Sequence, residues 1–188
     1  LERESMPGFH STGRSAAAFI SSYGHEVAAL RLLTQASADF FRSPPPDFCA
    51  GELLRPRGML TICEPEQVAA LEASFEGVRR LFPRHELLSS EQVRARVPRL
   101  SSQFSARGMF DPDVYDIEVH TLHDGYLRGL RRAGGTTKYD CEIHAVTRSG
   151  GEWRVTTPAG EFSAPTLVNA AGAWADEGPA KKRLVLVP

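Results

Sequence analysis

Apolar and polar positions along the chain follow two different periods, and together these predict a mixed α/β protein. Val27, Leu30, Leu33, Thr34, Ala38 and Phe41 recur three or four places apart, so residues 26–41 should form a helix with one apolar face. Ser43-Pro44-Pro45-Pro46 ends it, since proline supplies no amide and clashes with the preceding turn. Just upstream, the alanine-rich run from Ser15 to Ile20 predicts another helix, stopping near Gly24. Pro65-Glu66-Gln67 opens a helix with Leu71, Phe75 and Val78 inward, and Ser89-Ser90-Glu91-Gln92 opens a short one that Pro98 closes. A last helix is expected over 116–132, with Leu122, Tyr126, Leu127 and Leu130 inward and Gly134-Gly135 at its end.

Between these lie shorter runs that read as strands. Leu1–Arg3 looks like the tail of one, and 53–63 holds two, with Pro56 and Gly58 between them. Met109–Asp113 reads as strand then turn, and residues 136–139 and 143–148 are further candidates. Ser149-Gly150-Gly151-Glu152 predicts a hairpin into Trp153–Thr157. After the Pro158-Ala159-Gly160 turn, Leu167 and Val168 read as buried parallel strand. No internal repeat or low-complexity segment interrupts this order.

Composition narrows the function classes. A formal net charge of -1 over 188 residues gives no electrostatic footprint for nucleic acid, and Lys181-Lys182-Arg183 is too short to make one. No apolar stretch approaches the roughly 20 residues that cross a bilayer. Cys49, Cys63 and Cys141 are odd in number and widely spaced, which predicts reduced thiols and a cytoplasmic location. The six histidines show no metal-ligand spacing, and no GxSxG elbow appears, so neither a metal site nor hydrolase chemistry is expected.

Two segments carry candidate chemistry. Leu167-Val168-Asn169-Ala170-Ala171-Gly172-Ala173-Trp174 joins an apolar run to a turn with almost no side chains, which lets backbone approach a ligand closely. Near the other end, Leu1-Glu2-Arg3-Glu4 runs into His10-Ser11-Thr12-Gly13-Arg14-Ser15-Ala16-Ala17. In this order and spacing the chain resembles the D-amino-acid oxidase family of FAD-dependent oxidoreductases, most closely its bacterial D-amino-acid dehydrogenase and glycine-oxidase-like branch. The resemblance implies an α/β fold: a FAD-binding Rossmann-like domain with an inserted α+β portion of a substrate domain. Residues 1–40 and 115–188 would belong to the first and 41–114 to the second. The family's GxGxxG turn precedes the acidic residue and has no counterpart here, so the first βα unit is expected to be missing and the chain to be part of a longer protein.

The resemblance assigns cofactor contacts to Glu2, Arg3, Ser11, Thr12, Gly13, Arg14, Ser15, Ala16, Ala17, Ile143, Ala171, Gly172 and Trp174. Glu2 would accept hydrogen bonds from a ribose, or is a solvated acid. The hydroxyls of Ser11, Thr12 and Ser15 suit phosphate or a flavin edge, or cap a helix. Ile143 would meet adenine through its backbone, or is a buried hairpin residue. Gly172 lets backbone approach the cofactor, or satisfies packing. Trp174 is a cofactor contact or a core anchor, and Tyr23 faces the substrate or lies in the core.

The function implied is oxidation of the C-N bond of an amino acid or related amine by hydride transfer to FAD, giving an imino product. The substrate would be a small-molecule amine, with the electron acceptor and the catalytic base unassigned. A flavoenzyme acting on a 2-hydroxy acid or glycerol phosphate, a non-catalytic remnant or binding module of the same fold, and a nicotinamide-dependent Rossmann enzyme are the alternatives. The loop directly after Glu2 argues against the last.

Overall fold

A computed structural model describes residues 1–24, 26–175 and 184–187, the last four as backbone. The chain divides into two compact units, one of residues 1–14 with 127–188 and one of residues 15–126.

The larger unit holds two three-stranded antiparallel sheets. The first has the order β1-β6-β2, formed by Ala18–Ile20, Val114–Ile117 and Leu54–Pro56. The second has the order β3-β5-β4, formed by Met59–Cys63, Arg107–Asp111 and Glu86–Ser89. The two strands expected within 53–63 therefore exist but bond to different sheets. Helices α1 (Ala28–Arg42), α2 (Val68–Val78) and α3 (Ser90–Arg96) complete the unit, together with the first part of α4 (Val119–Arg132). The caps of α3 follow the sequence reading. The Gln92 amide donates to Ser89 Oγ at 3.3 Å, and the Gln92 side chain accepts from the Ser89 amide at 2.7 Å, closing a capping box. Leu53, Val78, Leu88, Val93 and Val114 are buried in this unit.

Several expectations fail here for tertiary reasons. Residues 18–20 form a strand although their alanine-rich surroundings favour helix. Pairing with β6 satisfies their backbone, Phe19 is buried, and these gains outweigh a propensity difference of at most about 0.7 kcal/mol per residue. The expected helix at 116–132 begins only at Val119, because Val114–Ile117 is the central strand of its sheet and bonds on both edges. In α4, Tyr126 and Leu130 were expected inward and are exposed. In α1, only Ala38 of the predicted apolar face is buried.

The smaller unit contains a meander of β7 (Ala145–Ser149), β8 (Glu152–Thr157) and β9 (Gly160–Ala164), and an antiparallel pair of β10 (Thr166–Asn169) and β11 (Leu184–Val187). Gly150 and Gly151, at φ +62° and +86°, make the two-residue hairpin turn that the sequence announces. Ile143 and Val155 are its core, with Leu1, Val146 and Leu167 packed against them. The C-terminal part of α4 ends as predicted. Gly134 sits at φ +82° and donates to the Arg131 carbonyl, while Gly135 donates to that of Leu130. Leu167 and Val168 are strand, but their pairing with β11 is antiparallel and Val168 is 45% exposed, since an apolar run fixes neither strand direction nor full burial. Leu1–Arg3 and residues 136–139 are irregular rather than strand. Lys181-Lys182-Arg183 and His25 lie outside the described residues.

Candidate functional site

Within the smaller unit, the first motif up to Arg14 meets the second; Ser15, Ala16 and Ala17 belong to the larger unit. The Glu2 amide donates to the Lys138 carbonyl and its carbonyl accepts from Cys141, while the Asp140 amide donates to the Glu4 carbonyl. The irregular first residues are thus stitched along 138–141. Arg3 donates to Glu4 Oε1 at 2.7 Å and lies over the Trp174 ring at 5.4 Å. His10 meets the same carboxylate at 2.9 Å through Nε2, and its ring stands 4.7 Å from that of Trp174. The hydrogen bonds from Arg3 and then His10 hold the Glu4 carboxyl below its ordinary range, and the bond to Glu4 raises the Arg3 guanidinium. Trp174 is half-buried, with Arg3 and His10 against its ring. A Glu2 oxygen accepts from the Glu4 amide at 3.1 Å.

The loop after Glu4 is closed by its own backbone. The Gly13 amide donates to the Gly8 carbonyl at 2.7 Å, and a Cβ on Gly13 would lie 2.3 Å from that oxygen. Glycine is required at this position by the loop itself. Ser11, Thr12, Gly13 and Arg14 are exposed, and Arg14 lies over the Phe9 ring at 5.3 Å. Ser15, Ala16 and Ala17 lead into a strand, so the helix-cap alternative for the loop hydroxyls falls: no helix begins there.

The second motif is shaped by its asparagine. Asn169 Oδ1 accepts from the Ala171 amide at 3.2 Å, and Nδ2 donates to the Ala175 carbonyl at 3.0 Å. Ala171 is buried, whereas Gly172 is exposed, at φ +58°, with no atom of the described residues within 4 Å of where a Cβ would stand. Packing therefore does not explain this glycine, but its left-handed backbone does. Ile143 has a buried side chain at 1% exposure.

The larger unit holds a polar cluster that sequence reasoning missed. Ser22 Oγ donates to Asp111 Oδ2 at 2.9 Å, and His85 Nε2 stands 3.2 Å from the same oxygen. All three are buried. His85 Nδ1 faces the Phe82 carbonyl at 3.1 Å, and Asp111 Oδ1 accepts from the Asp113 amide at 2.9 Å. The cluster borders a cavity of about 340 Å³ that Tyr23 also lines. Tyr23 is 60% exposed, which rules out the core alternative. Ser22 and Asp111 are 89 positions apart, so no local pattern links them. The one available signal was an acid closing an apolar strand, Met109-Phe110-Asp111.

Among the described residues no group of three or more His, Cys, Asp or Glu could hold a metal ion, and no helix is long and apolar enough to cross a membrane.

The closed loop with its exposed hydroxyls and guanidinium, and the bare turn at Gly172, suit a phosphate-rich, planar cofactor. This mixed α/β arrangement is that of flavin-dependent oxidases. The chain belongs to the FAD dependent oxidoreductase (DAO) family, whose model matches residues 1–188. The glycine oxidase of Geobacillus kaustophilus superposes with a TM-score of 0.75 at 19% identity, covering 93% of this chain and 48% of that one. The human mitochondrial dimethylglycine dehydrogenase is 33% identical over 92 residues, which are 48% of this chain and 11% of that protein. The Escherichia coli L-2-hydroxyglutarate dehydrogenase is 23% identical over 184 residues, 94% of this chain and 41% of that protein. The chain thus spans less than half the length of these relatives.

Proposed function

We propose that this chain is part of an enzyme that oxidises the C-N bond of an amino acid or related amine, passing a hydride to FAD and releasing an imino product that water hydrolyses. The observation that carries the reading is the meeting of residues 1–14 with the Asn169–Trp174 turn in one unit, with Arg3 and His10 both against Trp174. When bound, FAD supplies the hydride acceptor. Glu2 would hold the ribose hydroxyls. Ser11, Thr12, Arg14 and Ser15 would hold the phosphates or the flavin edge, and Ile143 would meet adenine through its backbone. Gly13, Ala16, Ala17, Ala171 and Gly172 would leave room for close backbone approach. Arg3 and Trp174 would act through the packing that fixes the turn, and Tyr23 would face the substrate. Residues 1–40 with 115–188 would form the FAD-binding domain and 41–114 the substrate domain. The joining of residues 1–14 with 127–188 in one unit supports a discontinuous chain, although residues 15–40 and 115–126 group with 41–114 rather than with that unit.

The test is the visible spectrum of the intact purified protein, mixed with a panel of amino acids and N-methyl amines without oxygen. Flavin bands that bleach with an amine are expected. Bands that persist with every amine overturn C-N oxidation, and no bands even with added FAD favour a remnant of the fold. The similarity to the Escherichia coli hydroxy-acid enzyme along 94% of this chain favours one second reading, oxidation of a 2-hydroxy acid, so the panel includes these.

A further inference from the structure

We propose that Glu4 is a positioning residue of the cofactor site: its carboxylate holds Arg3 and His10 against Trp174, and so sets the loop of residues 8–13 beside the turn at 172–174 before FAD arrives. Neither Glu4 nor His10 is among the residues assigned to cofactor contact. The role rests on that loop and turn holding FAD, and not on which bond is oxidised.

Three donors meet one oxygen. Arg3 Nε and Nη2 stand 3.0 and 2.7 Å from Glu4 Oε1, and His10 Nε2 stands 2.9 Å from it. The bonds from Arg3 and then His10 hold this carboxyl below its ordinary range, so near neutral pH it is ionised and only accepts. Charge-assisted bonds of this kind are about twice as strong as neutral ones. Both donors also reach the indole: the Arg3 guanidinium lies over the Trp174 ring at 5.4 Å, and the His10 ring stands 4.7 Å from it. Phe9 meets His10 edge-on at 5.1 Å. Without the carboxylate, Arg3 and His10 regain their rotamers and lose what aims them at Trp174.

The loop's own closure does not supply this placement. The Gly13 amide bonds the Gly8 carbonyl, which fixes the shape of residues 8–13 but not where they lie. His10 sits inside the closure, so its contact with Trp174 carries the whole loop. Trp174 in turn belongs to a turn held from within, by Asn169 through the Ala171 amide and the Ala175 carbonyl, and by its own amide on the Ala171 carbonyl at 3.1 Å. Two internally fixed pieces thus meet at side chains that Glu4 aims. Glu4 is itself anchored, its amide donating to Glu2 Oε1 and its carbonyl accepting from the Asp140 amide, each at 3.1 Å. A cofactor that touches both pieces binds best when their spacing is already set, because association then orders no loop.

Trp174 reports the arrangement directly. The chain has two tryptophans, and Trp153→Phe removes the other. In that background the intact protein, freed of FAD, is compared with its Glu4→Gln and Glu4→Ala variants. Glu4→Ala is expected to shift Trp174 emission to the red and open the ring to acrylamide. Glu4→Gln should fall between, since its amide oxygen still accepts but without charge. FAD titrated into the same proteins and followed by visible absorbance should bind roughly tenfold more weakly to Glu4→Ala and about threefold more weakly to Glu4→Gln. A Trp174 signal unmoved by Glu4→Ala, or FAD affinity retained while that signal moves, overturns the proposal. Should Glu4→Ala not fold, Glu4→Gln decides: both changes support the role, and no change in either overturns it. Glu142→Gln removes an exposed acid whose charge Arg3 also feels, and should move neither readout. An equal loss there makes the effect one of charge alone and overturns positioning.

Ser11→Ala combined with Thr12→Ala separates this role from the reading beneath it. FAD affinity lowered by that pair but not by Glu4→Ala removes the positioning role and keeps the loop. Affinity lowered by neither removes the loop's part in holding FAD as well.

Discussion

The two compact units put polar side chains to opposite uses. In the larger one, a buried serine donates to a buried aspartate that a buried histidine also faces at 3.2 Å. In the smaller one, serine, threonine and arginine are displayed on an exposed loop that a backbone hydrogen bond closes. The first arrangement binds the protein to itself, and the second leaves side chains for something else. Substitutions in the buried cluster should therefore be read in stability, and those around the displayed loop in cofactor affinity.

The largest effect expected is from Asp111→Leu, which strands the buried Ser22 hydroxyl and the Asp113 amide without their acceptor and leaves the buried His85 without the facing carboxylate. A loss of about 2–4 kcal/mol is expected in urea unfolding, against less than about 1 kcal/mol for Asp111→Asn. Equal losses for both would deny that hydrogen bonding holds the cluster. Next comes Gly13→Ala, which puts a carbon 2.3 Å from the Gly8 carbonyl and must open the loop. It should cost about 1–3 kcal/mol and weaken FAD binding in the same protein. Retained affinity would separate loop shape from cofactor binding.

Glu2→Gln tests the other side of the contrast. FAD affinity should fall about tenfold, worth about 1.4 kcal/mol, with the melting temperature in the apo form little changed. A reversed pattern would make Glu2 a structural acid. Ser89→Ala should cost about 1 kcal/mol through the lost cap of α3 and leave the FAD titration unmoved. The smallest effect is from acid. Because Arg3 and His10 depress the Glu4 carboxyl in the folded state, the unfolded chain takes up its proton first as pH drops. The contribution is present above the ordinary carboxylate range and is lost as pH falls through the lowered value. Glu4→Gln should flatten that part of the stability profile against pH.

What was legible in the sequence was mostly local. The hydroxyl cap at Ser89, the stop at Gly134-Gly135 and the Gly150-Gly151 hairpin each depend on neighbours within a few positions, and each formed as read. Strand β1 was not legible, because its partner lies near residue 115 and only that pairing overrides the alanines around it. Strand β6 was hidden for the same reason. The resemblance carried the two motifs and the family. It did not carry the buried cluster, whose members meet only after two sheets have formed, nor the reason for Gly13, which is the carbonyl of Gly8.

That closure by Gly13 has a thermodynamic consequence. A loop latched by its own amide has already surrendered its conformational freedom when the chain folds, so a ligand arriving later does not have to immobilise it. Calorimetry should find association with little entropic penalty from backbone ordering, and with a heat-capacity change set by the surface covered rather than by any refolding of the segment.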